Sequence, residues 1–166
     1  MSKWKANYNR IEEAERITFR PISKLSESEV NDLCNKLKEK GFIAPDTEVE
    51  RLKHILSGDK YDGDKPIIWI KKQTRNQKPS KASVIDFLYL LGVKQENINP
   101  KRLNCCFICS EENSYSPYSY NNINTKKSEF HEILKEIIEL VFSQNPVILQ
   151  FVGKEENNTD SKPSKQ

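Results

Sequence analysis

An α+β fold that is mostly α follows from three features of this 166-residue chain. Apolar residues recur three and four apart over several stretches that end in glycine or proline, which is helical punctuation. One run, Val84 to Leu91, is apolar nearly all round and demands burial on more than one side. Ile67-Ile68-Trp69-Ile70 is a short β-branched and aromatic run that Pro66 can only begin, so it is expected as a strand. The predicted architecture is a helical hairpin, a short strand pair or wing, a buried central helix and a long C-terminal helix, with which a winged-helix-like arrangement is compatible. The length fits one domain. Residues 23–152 are expected to form it, with 1–22 a partly ordered N-terminal extension. Residues 153–166 carry no large apolar side chain and are expected to be a disordered tail.

Along the chain, Ser26 and Glu29 have capping-box spacing, and Val30, Leu33, Cys34 and Leu37 form one stripe. A helix is therefore expected from Ser26 to Lys40, closed by Gly41. Thr47 and Glu50 repeat the box after Pro45, Val49, Leu52, Ile55 and Leu56 supply the apolar face, and Gly58 ends it. The stretch 59–65 is acidic and glycine-containing, a loop. Trp69 is expected as a core anchor, and the helix after Pro79-Ser80 as the central one, closed by Gly92. Asn99-Pro100 is an N-cap followed by proline at the first helical position, so 101–104 should make a short helical turn. Residues 105–109 either extend that turn or form a strand. Asn, Ser and Tyr dominate 111–124, which predicts a loop. From Thr125 the helical period returns in Phe130, Ile133, Leu134, Ile137, Ile138 and Val141, up to Phe142. Val147 to Val152 is apolar but short and is expected as a terminal strand or extended arm.

Composition excludes more than it identifies. Lys and Arg number 27 against 24 Asp and Glu, a net charge of +3 that does not mark a nucleic-acid binder by itself. The first residues are polar and charged, with no secretory h-region, and no apolar run approaches a membrane span, so a cytoplasmic protein without membrane contact is expected. Cys34, Cys105, Cys106 and Cys109 are then expected as thiols.

Catalytic and metal patterns do not assemble. Cys106 and Cys109 have the spacing of half a zinc site, but Phe107 and Ile108 lie between them where turn formers are usual, and only Cys34, His54 and His131 could complete it, each from a different helix. The acidic stretch Asp59, Asp62 and Asp64 lacks the ligand spacing of a calcium loop. Neither His54 nor His131 neighbours a nucleophile motif, and the five glycines form no phosphate loop. No catalytic residue, metal or cofactor is expected.

The segment between the strand and the central helix carries the main functional signal. Lys71, Lys72, Arg75, Lys78 and Lys81 occur there without one acidic residue, flanked by elements that must be buried. Such a loop is either solvated decoration or a phosphate-contacting surface. Lys101 and Arg102 start the next element and extend the expected nucleic-acid-binding set. The competing expectation is a protein partner, met by Tyr115, Tyr118 and Tyr120 together with the arm 147–152.

The helical pair, Pro66-Ile67-Ile68-Trp69 and Val84-Ile85-Asp86-Phe87-Leu88-Tyr89-Leu90-Leu91 together resemble the RteC-like proteins of Bacteroides conjugative elements and related proteins of the same bacteria, over about residues 28 to 140. RteC is a DNA-binding regulator with a helix-turn-helix domain, so the resemblance implies a regulatory role, here on a mobile element, as one reading; the absence of catalytic motifs makes a non-enzymatic protein the expectation. The stretch from Lys71 to Lys81 is longer here than the brief turn of that family, so no DNA-reading residue is carried over from it.

Overall fold

A computed structural model describes residues 19–63, 65–109, 117–123 and 127–161, with side chains as far as Gly153. The chain is mostly helical with a small parallel β part, the class that the sequence predicts. Helix α1 spans Glu27–Glu39, and its N-terminus is the expected box: Glu29 N–H donates to Ser26 Oγ at 3.1 Å and Ser26 N–H to Glu29 Oε1 at 2.8 Å. Helix α2 spans Val49–Ser57 and ends at Gly58, whose φ of 76° is the left-handed conformation glycine adopts without a Cβ clash. Its start corrects the second predicted box. Thr47 spends its hydroxyl on Ala44 O at 2.6 Å, closing the Pro45 turn, and Glu48 takes the N-cap position with its carboxyl turned to Tyr61 Oη.

Strand β1 is only Ile67–Ile68, shorter than expected, and pairs in parallel with β2, Phe107–Ile108, in the register Ile67 with Phe107 and Ile68 with Ile108. A parallel pair needs a crossover, which helix α3 (Lys81–Leu90) and helix α4 (Pro100–Cys106) supply. It is not an antiparallel wing. Trp69 continues beyond β1, donating its N–H to Ile108 O at 2.8 Å and bridging to Ile43 on the other side. The alternatives left open for 105–109 are both realised: Cys105 and Cys106 end α4 and the next two residues form β2. Asn99 caps α4, accepting from Arg102 N at 2.9 Å, with Pro100 behind it.

Trp69 is fully buried and sits among Phe42, Phe87 and Phe107 at centroid distances of 5.6, 5.8 and 6.1 Å. Its indole N–H donates to Ser83 Oγ at 2.7 Å, so the one polar atom of the anchor is satisfied inside the core. Val84, Ile85, Phe87, Leu88 and Leu90 of α3 are all buried, as its all-round apolarity requires. Gly92 closes it at φ 82°; a Cβ there would come within 2.5 Å of Ile22 Cβ, so glycine also admits the 19–22 segment. That segment is docked by Phe19 N–H to Ile55 O and Ile22 N–H to Leu91 O. Residues 1–18 of the expected extension lie outside the described residues.

Two C-terminal expectations are corrected. Helix α5 spans His131–Val141 rather than beginning near Thr125, because Ser128 and Glu129 are tied to other parts of the chain. The segment expected as a strand or arm is helix α6, Pro146–Ser161, and it continues into the stretch expected to be an unstructured tail. Asn145 Oδ1 accepts from Ile148 N–H at 3.2 Å, and Ile148 and Val152, four apart, are both buried. Residues 162–166 lie outside the described residues. No helix among the described residues is long and apolar enough to cross a membrane.

Candidate functional site

The basic segment folds into a tight hairpin on the N-terminal side of α3. Lys72 and Pro79 form an antiparallel bridge, Ser80 N–H donates to Lys71 O at 2.8 Å, and Gln73 N–H donates to Lys78 O at 2.7 Å. At its tip Gln77 takes φ 59° and returns its N–H to Gln73 O at 2.9 Å, while its side-chain amide donates to Thr74 O at 3.0 Å. Lys78 N–H donates to Asn76 Oδ1 at 3.0 Å. Backbone and side-chain bonds thus hold the turn without help from a ligand.

The predicted cations divide into two groups. Lys71 is half-buried over the rings of Phe42 and Phe130, at 5.1 and 5.3 Å, and donates to Lys40 O. Lys81 is half-buried at the start of α3, donates to Pro117 O at 3.1 Å, and lies 5.9 Å from the Tyr118 ring centroid. Burial holds its pKa below the usual lysine value. Both are committed to the protein's own packing, which corrects their place in a freely presented set. Lys72, Arg75 and Lys78 are exposed along the hairpin. Lys101 is exposed and Arg102 half-buried on α4. That helix is linked to the hairpin base through Asn104, which exchanges two hydrogen bonds with the backbone of Tyr118, the residue beneath Lys81.

One carboxylate stands at the hairpin tip. Glu129 accepts from Thr74 Oγ1 at 2.6 Å through Oε1 and from Thr74 N–H at 3.1 Å through Oε2. These bonds, and more weakly the Arg75 charge, hold its pKa below the usual carboxylate value. Nothing in the sequence separation of 55 residues announced this contact. The chain's own anion therefore offsets part of the charge of the exposed cations.

The tyrosine set is corrected as well. Tyr118 is buried and shares a hydrogen bond of 3.1 Å with Cys109 Sγ, so it is a core residue rather than a partner contact. Burial pushes its hydroxyl well above the usual tyrosine pKa and pushes the Cys109 thiol up to about 12. Tyr120 is 77% exposed, and Tyr115 lies outside the described residues. Cys34, Cys105, Cys106 and Cys109 are all buried and outside any disulfide, and among the described residues no cluster of three or more His, Cys, Asp or Glu could hold a metal.

A buried polar cluster escaped the sequence reasoning. Asp86, between Ile85 and Phe87 of α3, has no exposed surface; its Oδ1 accepts from His131 Nδ1 at 2.8 Å, and its Oδ2 from Ser128 N–H at 2.8 Å and Ser128 Oγ at 2.9 Å. The signal was present: a lone acid in the buried apolar part of α3, between Ile85 and Phe87, must find partners. A cleft of about 550 Å³ lies between residues 20–25 and the end of α2, lined by Arg20, Lys24, His54 and Ser57 among others. Comparison of the chain with protein-family models, with curated proteins and with solved structures finds no match. The hairpin has to be understood from its own chemistry.

Proposed function

We propose that the protein is a small, non-enzymatic regulatory or adaptor module that contacts the phosphate backbone of nucleic acid through its basic hairpin. The observation that carries this is the exposure of Lys72, Arg75 and Lys78 on a turn already fixed by internal hydrogen bonds. A pre-ordered cationic turn does not lose its own conformational freedom on binding, which a flexible lysine-rich loop does. Lys101 and Arg102 on α4 form a second, weaker group in this reading. A role on a bacterial mobile element, which the RteC-like resemblance implies, and a cytoplasmic setting, which suits four buried thiols, belong to the same proposal.

The test is an anisotropy titration of a labelled oligonucleotide with wild type, with K72Q/R75Q/K78Q, and with K60Q/K65Q/K94Q as an equal change of charge elsewhere on the exposed surface. The expected result is lower affinity for the hairpin variant alone, and a salt slope flatter by about 2 to 3 from the loss of its phosphate contacts. Equal behaviour of the two triple variants removes the proposal.

A protein-partner reading retains one supporting feature: Leu140, 62% exposed near the end of α5, and Val147 at the start of α6 leave apolar surface at that helical junction. Light scattering of wild type and L140E would reveal self-association there as a fall in mass for the variant.

A further inference from the structure

Resting on the nucleic-acid reading above, we infer that the hairpin tip is a phosphate cradle, and that Glu129 fills it until a backbone phosphate displaces the carboxylate. Thr74 aims a backbone N–H and a hydroxyl at the two oxygens of one anion, and the Arg75 guanidinium is next in the chain. Paired donors of this kind with an adjacent cation match a phosphate oxyanion as well as they match a carboxylate. The cradle is rigid for reasons unrelated to Glu129. The Gln73 to Lys78 pairing, the Gln77 side-chain bond to Thr74 O and the Asn76 cap of Lys78 N–H fix it from within the hairpin.

Glu129 is placed so that it can leave at low cost. Its backbone is anchored on both sides, by Ser128 bonded to Asp86 and by the buried ring of Phe130, while the Glu129 residue itself is exposed. Rotation of one side chain vacates the cradle without moving α5 or the hairpin. An exposed carboxylate gains little from such a contact against water, and a polyanion brings further phosphates to Lys72 and Lys78 at the same time. Glu129 thus sets a threshold: an isolated small anion competes with it one to one, whereas a nucleic-acid strand competes with several charges together.

The experiment compares wild type, E129Q, E139Q and E129Q/T74V by anisotropy with a short fluorescein-labelled oligonucleotide, as single strand and as duplex, over a salt series. Glu139 is exposed near the far end of α5, so E139Q makes the same change in net charge away from Thr74. E129Q is expected to bind about two- to fivefold more tightly at low salt, the scale of one exposed charge contact. Its salt slope should steepen by about 0.7 to 0.9 as one more phosphate is engaged. E139Q should do neither, and E129Q/T74V should lose most of the gain. Thermal unfolding of each variant establishes that it is folded. Hairpin-dependent binding in which E129Q is no tighter than E139Q, or in which T74V leaves the gain intact, overturns the cradle while sparing the proposed function. No binding by wild type, or binding indifferent to Lys72, Arg75 and Lys78, overturns both.

Discussion

Replacing Asp86 by alanine tests whether a buried acid, rather than apolar contact alone, locks α3 to the start of α5. Asp86 is fully buried and receives three hydrogen bonds, from Ser128 N–H, Ser128 Oγ and His131 Nδ1. In D86A the hydroxyl can turn elsewhere, but the backbone N–H and the imidazole N–H lose their acceptor. Each stranded buried donor costs about 1–3 kcal/mol. The His131 side chain is 15% exposed and Ser128 half-buried, so water reaches them and the lower half of that range applies. The sum is about 2–4 kcal/mol, which for a domain of this size lowers Tm by about 5–15 °C. D86N keeps an acceptor for Ser128 and should lose about half as much. Urea unfolding followed by circular dichroism measures both, with an unchanged slope against denaturant, and amide exchange at Ser128 should accelerate in D86A. A D86A loss below about 1 kcal/mol would show that the cluster contributes no more than an ordinary surface substitution and does not lock α3 to the start of α5.

Two further outcomes follow from shifted proton affinities. Burial, and then the hydrogen bond to Glu48, push the Tyr61 hydroxyl up to about 12. Because the folded value lies above the unfolded one of about 10, its contribution to stability is complete below about pH 10 and is lost as pH rises toward 12. Absorbance titration of wild type against Y61F should show one tyrosine fewer ionising near the top of that window. The Cys109 thiol, also pushed up to about 12 by burial, should resist aromatic disulfide reagents at about pH 8. Its modification should follow the rate of unfolding, and rapid labelling of Cys109 in folded protein would contradict its position beneath Tyr118.

How much was legible in advance depended on whether a signal was local. The capping box at Ser26, the apolar stripe of α1, the all-round apolarity of α3 and the Asn99-Pro100 start of α4 each depend on residues a few positions apart, and each is present. Helix α6 was missed although Asn145-Pro146 is the same N-cap and proline pair. Five apolar residues within six positions read as a strand, and the polar residues that lengthen the helix read as a tail. Thr47 was misassigned because its hydroxyl has two local backbone partners to choose between, and the turn won. Of the candidate site, the sequence placed the cations together but could not divide them: Lys71 and Lys81 are drawn inward by aromatic rings, Phe42, Phe130 and Tyr118, that lie far away along the chain. Tyr118 looked like surface because the surrounding residues are polar. It is buried because Asn104 satisfies its backbone on both sides.

The residues from Ser128 to His131 tie these observations together. In four positions they bond α3 through Ser128 and His131 to Asp86, bond the hairpin tip through Glu129 to Thr74, and put Phe130 beneath Lys71 and edge-on to Phe42. The core and the basic turn are therefore positioned by one short segment, and the cost of ordering that segment is met once for both. A hairpin that was only solvated decoration would need no such connection, since exposed lysines confer solubility in any conformation. Fixing the geometry of a cationic turn matters when the anion it meets has a fixed spacing of its own, as a nucleic-acid backbone does. By this reasoning D86A should do more than lower Tm: by loosening Ser128 it should also free Glu129 from Thr74 N–H, so amide exchange at Thr74 should rise together with exchange at Ser128, while the internally bonded hairpin amides of Gln73 and Gln77 and those of α1 stay protected. Independent exchange at the two sites would mean that the turn and the core only happen to be neighbours.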